Sequence, residues 1–258
     1  MKKQTISLLC VLFIFSLACQ FLSPGPARTG TVISDCANIV TDFENTQPGG
    51  IPEHLLETGI KQGDEFDANE YFDALTHISM RKGYTLDYVY QTDSLGAFPI
   101  LYARSTDQPP YTSMEDIPAD IELPDFREYL EVEGVEQGYF EYVVMEIMAG
   151  QFYLSWHANY NDTEIVCNRD GVNEIISRIN ESDFGSDLDL GQQTKARAIK
   201  NIEPAVGLTG DVAIVEIVTF TKWGGFYRLT YTISREFQHK IIDVKQEELV
   251  PYDCGVMF

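Results

Sequence analysis

The chain carries four histidines, forty carboxylates and five cysteines, and these bound the chemistry it could perform. Ser155 and His157 lie two apart in a stretch that reads as a strand, so their side chains fall on one face. Asp162 and Glu164 follow closely. A serine, an imidazole and a carboxylate are the types that a nucleophile, its base and an orienting group require. The strained Gly-x-Ser-x-Gly turn that presents such a serine is missing, however. Neighbours on one strand face also point the same way without having to bond each other. The expectation is a solvated sheet face, and no catalytic residue is assigned.

Asp183, Asp187 and Asp189 form the second constellation, within the acidic stretch 182–191. Their spacing suggests a weak calcium loop. From Asp187 onward the third acidic position falls on Gly191, and no glutamate closes the loop, so the EF-hand pattern fails. A plain acidic linker is the expectation. The cysteines and histidines show no zinc spacing. No glycine loop could cradle a phosphate, and no dinucleotide fingerprint occurs, so no cofactor is expected. Trp156, Trp223 and the tyrosines could form a stacking platform for a sugar or peptide, although aromatic residues at strand spacing usually face the core.

The 258 residues carry a net charge of −22, which becomes more negative if Lys2 and Lys3 are removed. Such a surface repels nucleic acid and anionic head groups, so no nucleic-acid partner is expected. Solubility is the ordinary use of the acidity.

Residues 1–19 set the expected address. Lys2 and Lys3 precede the apolar run 6–17, and the chain turns polar and Pro/Gly-rich after Cys19. This is the pattern of an export signal. Ser16-Leu17-Ala18-Cys19 resembles the lipobox of a bacterial lipoprotein signal peptide, with Ser16 where the usual box has leucine. The resemblance implies a signal peptide over 1–18, a lipidated Cys19 and a linker to residue 35 that holds the domain off the membrane. Each buried methylene of such an anchor contributes ~0.8 kcal/mol, and stable anchoring takes more than one chain. Two other outcomes stay open. Ser16-Leu-Ala18 also fits ordinary cleavage, which would release a soluble protein. The apolar stretch 6–22 also approaches the ~20 residues of an uncleaved transmembrane anchor.

Cys10 would leave with the signal. An acylated Cys19 leaves Cys36, Cys167 and Cys254, hence at most one internal pair; a free Cys19 would permit two. The expected pair is Cys36 with Cys254, closing a loop worth ~4–5 kcal/mol in chain-entropy terms.

The elements that must position these residues follow from periodicity. A helix is expected over 68–82, with Asp67 and Glu70 as a capping box and Tyr71, Leu75 and Ile78 on one face. Strands follow over 84–91 and 98–104, with Pro99 placing the second at an edge or its first residue in a bulge. A polar stretch, 105–138, carries one short helix over 125–131. A long hairpin is expected from 139–148 and 151–160. A second helix starts at Asp170 and buries Val172, Ile175, Ile176 and Ile179. Strands over 193–200, 212–222, 226–234 and 239–246 complete the chain, the middle pair joined at Trp223-Gly224-Gly225-Phe226.

The fold class is therefore α+β: antiparallel sheet meanders with helices on one face. One helix followed by four strands, twice over, resembles cystatin-like order. Units over 36–165 and 166–258 are expected, or one domain over 36–258. The corresponding functional expectation is an exported, membrane-tethered, non-catalytic module of the cell envelope. It would bind an unidentified protein or small molecule. An exported hydrolase with dispersed carboxylates or the Ser155/His157 pair is the alternative, and a purely structural envelope lipoprotein is a third.

Overall fold

A computed structural model describes residues 30–183 and 185–256. The leader and Cys19 lie outside the described residues. The fold is α+β with antiparallel sheets.

The main sheet has six strands. They are β1 (Thr31–Val32), β7 (Glu164–Val166), β8 (Ala205–Leu208), β9 (Val212–Thr221), β10 (Gly225–Ser234) and β11 (Ile241–Pro251). Their order is β1-β8-β9-β10-β11, with β7 also pairing along β9. The β9–β10 hairpin forms where the glycines and alternation predict it, but its loop is Lys222-Trp223-Gly224 rather than the two glycines: Thr221 faces Gly225 and Val212 faces Ser234. Gly225 has φ +92°, and a Cβ there would stand 2.1 Å from the Val250 carbonyl oxygen, so only glycine fits.

β9 is buried on both faces. Ala213, Val215 and Ile217 join Tyr231 and Ile233 in the larger core. Val218 and Phe220 point the other way and join Phe226 in the smaller one. The larger core is built against α4 (Glu136–Met148) and the smaller against α5 (Arg169–Asn180) and α6 (Leu190–Arg197). Each fully buried aliphatic or aromatic side chain in these layers contributes about 1.5–3 kcal/mol. The remaining helices are α1 (Cys36–Thr46), α2 (Glu53–Thr58) and α3 (Tyr71–Ala74). The remaining strands are β2 (Ile78–Met80), β3 (Tyr84–Asp93), β4 (Gly96–Ser105), β5 (Leu130–Val132) and β6 (Ser155–Trp156). β3, β4 and β6 form a three-stranded sheet, and β2 pairs with β5.

Several local expectations are corrected. The first arm of the supposed hairpin over 139–148 is helix α4. Nine of its thirteen residues are buried, among them Tyr139, Phe140, Val143 and Val144. A helix apolar all round shows no stripe, so its sequence reads equally as a strand. The supposed helix over 68–82 stops early: a 3-10 turn, Ala68–Glu70, runs into the one-turn α3, and Ile78 already belongs to β2. Tyr71, Leu75 and Ile78 are all buried, so the apolar stripe was real but serves three elements. The strand expected over 193–200 is helix α6. Asp189 and Gln192 form its capping box, a Asp-x-x-Gln signal at the helix start. α5 is capped by Asn168, whose side chain accepts from the Gly171 amide at 3.0 Å, not by Asp170. Residues 126–129 form a 3-10 turn. β3 and β4 fall where alternation placed them. Among the described residues no strand pairs with the outer side of β4 beyond Ala97, which accommodates Pro99.

The disulfide expectation is also corrected. Cys36 is joined to Cys167, 131 residues away, at a Cα–Cα distance of 5.5 Å. Cys254 is a buried thiol in the smaller core, on the far side of the sheet from Cys36. The bridge ties the start of α1 to the segment between β7 and α5, and closes a loop worth about 5 kcal/mol in chain-entropy terms.

Candidate ligand-binding site

α4 ends at Ala149-Gly150, and the chain then crosses between the two larger sheets as a strap over 150–162. The strap holds two non-glycine residues in positive φ, Tyr153 at 52° and Trp156 at 53°. Such residues cost about 1–3 kcal/mol each and persist only where the surroundings over-determine them. The surroundings here do so. Gln151 Nε2 donates to the Thr163 carbonyl at 2.9 Å. Tyr90 donates its hydroxyl to the Tyr153 carbonyl at 2.6 Å, and the Tyr153 hydroxyl accepts from the Phe66 amide at 3.3 Å. The His157 amide donates to the Leu95 carbonyl at 3.1 Å. Gly96 permits this approach, since a Cβ there would lie 2.6 Å from the Ser155 carbonyl oxygen. At the far end Asp162 accepts from the Thr221 hydroxyl and from the Lys222 amide at 3.1 Å, clasping the strap to the β9–β10 turn.

The fixed strap lines up four rings. Trp156 is 60% exposed. Its ring centroid lies 6.0 Å from that of His157, which stacks on Tyr160 at 5.6 Å and 12°. Tyr160 meets Trp223 edge-on at 4.4 Å. Both tryptophans of the chain therefore belong to one run of rings. The run ends in the wall of a cavity of about 700 Å³, which also presents Gln151, Asn159, Asn161, Lys222 and Tyr252. That volume suits a small organic ligand. Burial raises the Tyr252 hydroxyl to about 12, so it stays protonated and donates to the Ser186 carbonyl at 2.5 Å.

The same geometry dismantles the nucleophile–base arrangement. Among the described residues no hydrogen bond joins Ser155 to His157, since the positive φ of Trp156 turns the chain between them and the His157 ring stacks on Tyr160. Asp162 is spent on the clasp. Glu164 accepts from Arg178 Nη2 at 2.7 Å with both oxygens. Asp183, Asp187 and Asp189 do not converge into a ligand set; Asp189 caps α6, accepting from the Gln192 amide at 2.8 Å. Among the described residues the one group of ligand atoms close enough to share a metal is His54, Asp64 and Glu65, within 4.8 Å of one another. Cys254 lines the cavity rather than a disulfide.

Trp156 and Trp223 are the two sequence candidates that the structure brings together. Tyr160 is the one of the tyrosines that joins them, and the amide side chains of Asn159 and Asn161 were missed. Their signal was present as the density of aromatic and amide residues in Phe152-Tyr-Leu-Ser-Trp-His-Ala-Asn-Tyr-Asn161, masked by reading this stretch as a strand. No family model matches the chain, and neither does any curated protein or solved structure.

Proposed function

We propose that the chain is an exported, non-catalytic binding module, tethered to the membrane through Cys19. Its aromatic strip and adjoining cavity take a neutral, pyranose-based saccharide. The observation that carries this reading is the run of rings from exposed Trp156 to Trp223, held rigid by a strained but heavily anchored strap. A pyranose offers flat C–H faces to rings and hydroxyl groups to amides. The strip supplies the rings, and Gln151, Asn159 and Asn161 supply amide groups beside them. Rigid aromatic anchors bind at low entropic cost, because little freedom remains to be lost. Nearby Asp162 and Glu164 are engaged in holding the structure, which supports binding rather than hydrolysis. The Cys36–Cys167 bridge fits an oxidising compartment outside the cytoplasm.

Retention on insoluble neutral polysaccharides tests the ligand. Trp156→Ala is expected to lower retention at least tenfold; equal retention would sink the reading. Cell fractionation tests the tether separately: Cys19→Ser should release the protein from the membrane fraction, and a variant that stays behind removes lipid as the anchor.

A further inference from the structure

A second cavity, of about 560 Å³, lies between the loop around 61–69, the start of β3 and Arg104 on β4. In its wall Asp87 stands between two cations. Its Oδ1 is 2.7 Å from Lys61 Nζ, and its Oδ2 is 2.7 Å from Arg104 Nε. All three side chains are largely buried, at 11%, 11% and 20% exposure for Asp87, Lys61 and Arg104. Two buried cations share this one carboxylate, and among the described residues neither makes an ion pair with the other two carboxylates of the wall, Glu65 and Asp67. An ammonium has three donors, and the Lys61–Asp87 contact uses one.

Beside them the Tyr88 hydroxyl is buried and has no hydrogen-bond partner. The residue is 3% exposed and lines the same cavity. Burial, reinforced by the neighbouring Tyr153, Glu65 and Asp87, pushes this hydroxyl far up, so it keeps its proton and can only be relieved by an acceptor. Buried hydroxyls without partners are rare enough to require a reason. The cavity also presents Glu65 and Asp67. Burial pushes the Glu65 carboxyl up, but the Gln62 and Gly63 amides and His54 outweigh it and hold the group below the usual carboxylate range, hence ionised. A carboxylate has about four lone-pair sites, so these bonds do not exhaust it.

We propose that this cavity binds a small zwitterion of the α-amino acid type, with its carboxylate received by Lys61, Arg104 and the Tyr88 hydroxyl and its ammonium by Glu65 and Asp67. The charge balance selects a zwitterion. The wall holds three carboxylates, Glu65, Asp67 and Asp87, against two cations, so a simple anion meets net repulsion. Lys61 already meets Asp87 and lies over the Tyr88 ring at 4.6 Å, so a simple amine would leave the Tyr88 hydroxyl as the unanswered group. This site is separate from the aromatic cavity and does not depend on the saccharide reading, because the two linings share no residue.

The test is calorimetric titration of the full chain in detergent with each of the proteinogenic L-amino acids, and with acetate and methylamine as the two halves of the ligand. At least one amino acid should bind with a dissociation constant below about 1 mM, and neither half should bind measurably. Tyr88→Phe should weaken that binding about tenfold, the worth of one hydrogen bond. It should leave the unliganded protein at least as stable, because an orphaned hydroxyl is removed. Lys61→Met should abolish binding, and Trp156→Ala should leave it unchanged. No binding by any amino acid, acetate binding as tightly as the amino acid, or an unaffected Tyr88→Phe would each overturn the proposal.

Discussion

At the scale of single residues, Trp156 combines two costs that folding alone does not require. A large apolar ring is exposed to water, and its backbone sits at φ 53°. Glycine would accept that backbone freely. Trp156→Gly is therefore expected to hold or raise the melting temperature while removing saccharide retention; a clear loss of stability would show that the ring serves the fold instead. His239 illustrates a different residue-scale effect. It is buried, and desolvation lowers its pKa despite its contact with the Ser234 carbonyl and the nearby charge of Glu131, both of which raise it. A folded pKa below the unfolded value of ~6.5 means that the unfolded chain binds more protons in this window. The contribution of His239 to stability is thus complete above about pH 6.5 and is lost as pH falls through the folded value. Denaturant unfolding from pH 7.5 to 5 should show a decline that His239→Gln flattens.

At the scale of elements, α4 is the organising helix of the larger core, and it contains a buried carboxylate. Glu141, fully buried, accepts from the His77 amide at 2.6 Å, meets His77 Nδ1 at 2.8 Å and accepts from Gln137 Nε2 at 2.9 Å. The link pins α4 to the start of β2. Glu141→Ala strands the His77 amide and leaves a void, so urea unfolding should show a loss of about 3 kcal/mol. A change below 1 kcal/mol would mean that the network is not structural. The same helix shows where sequence reasoning fails. β3, β4 and α5 follow a regular pattern of burial, and β9 and β10 meet at diagnostic glycines, so these elements were legible. α4 buries every side, so its periodicity vanishes. α6 is short and polar, with Ala196 its buried residue, and only the Asp189-x-x-Gln192 box betrayed it. The binding strap has no regular period, since its shape comes from anchors more than fifty residues away, such as Tyr90 to Tyr153 and Asp162 to Thr221. Trp156, Trp223 and the tyrosines were visible as a candidate platform; the strap geometry that joins them through His157 and Tyr160 was not.

At the scale of the molecule, the larger core draws on residues from Ile33 to Ile165 together with β8, β9 and β10, so the two halves of the chain share one apolar interior. The Cys36–Cys167 bridge spans those halves. Cys167→Ser should cost several kcal/mol, approaching the ~5 kcal/mol chain-entropy value. Peptide mapping without reduction should recover Cys36 linked to Cys167, with Cys254 labelled only after unfolding; a Cys36–Cys254 peptide would contradict the architecture. The central claim concerns the surface where these layers meet, and the composition of the chain supplies its own reporter. The protein has two tryptophans, and both belong to the aromatic strip. Titration of the protein with a soluble neutral β-linked hexasaccharide, followed by intrinsic tryptophan fluorescence, therefore reads the site with no background from elsewhere. Cellohexaose and chitohexaose serve as the probes. A saturable shift in emission with at least one of them is predicted, at least tenfold weaker in Trp156→Ala. Emission that does not respond to either sugar, or a response unchanged in Trp156→Ala, would contradict the account.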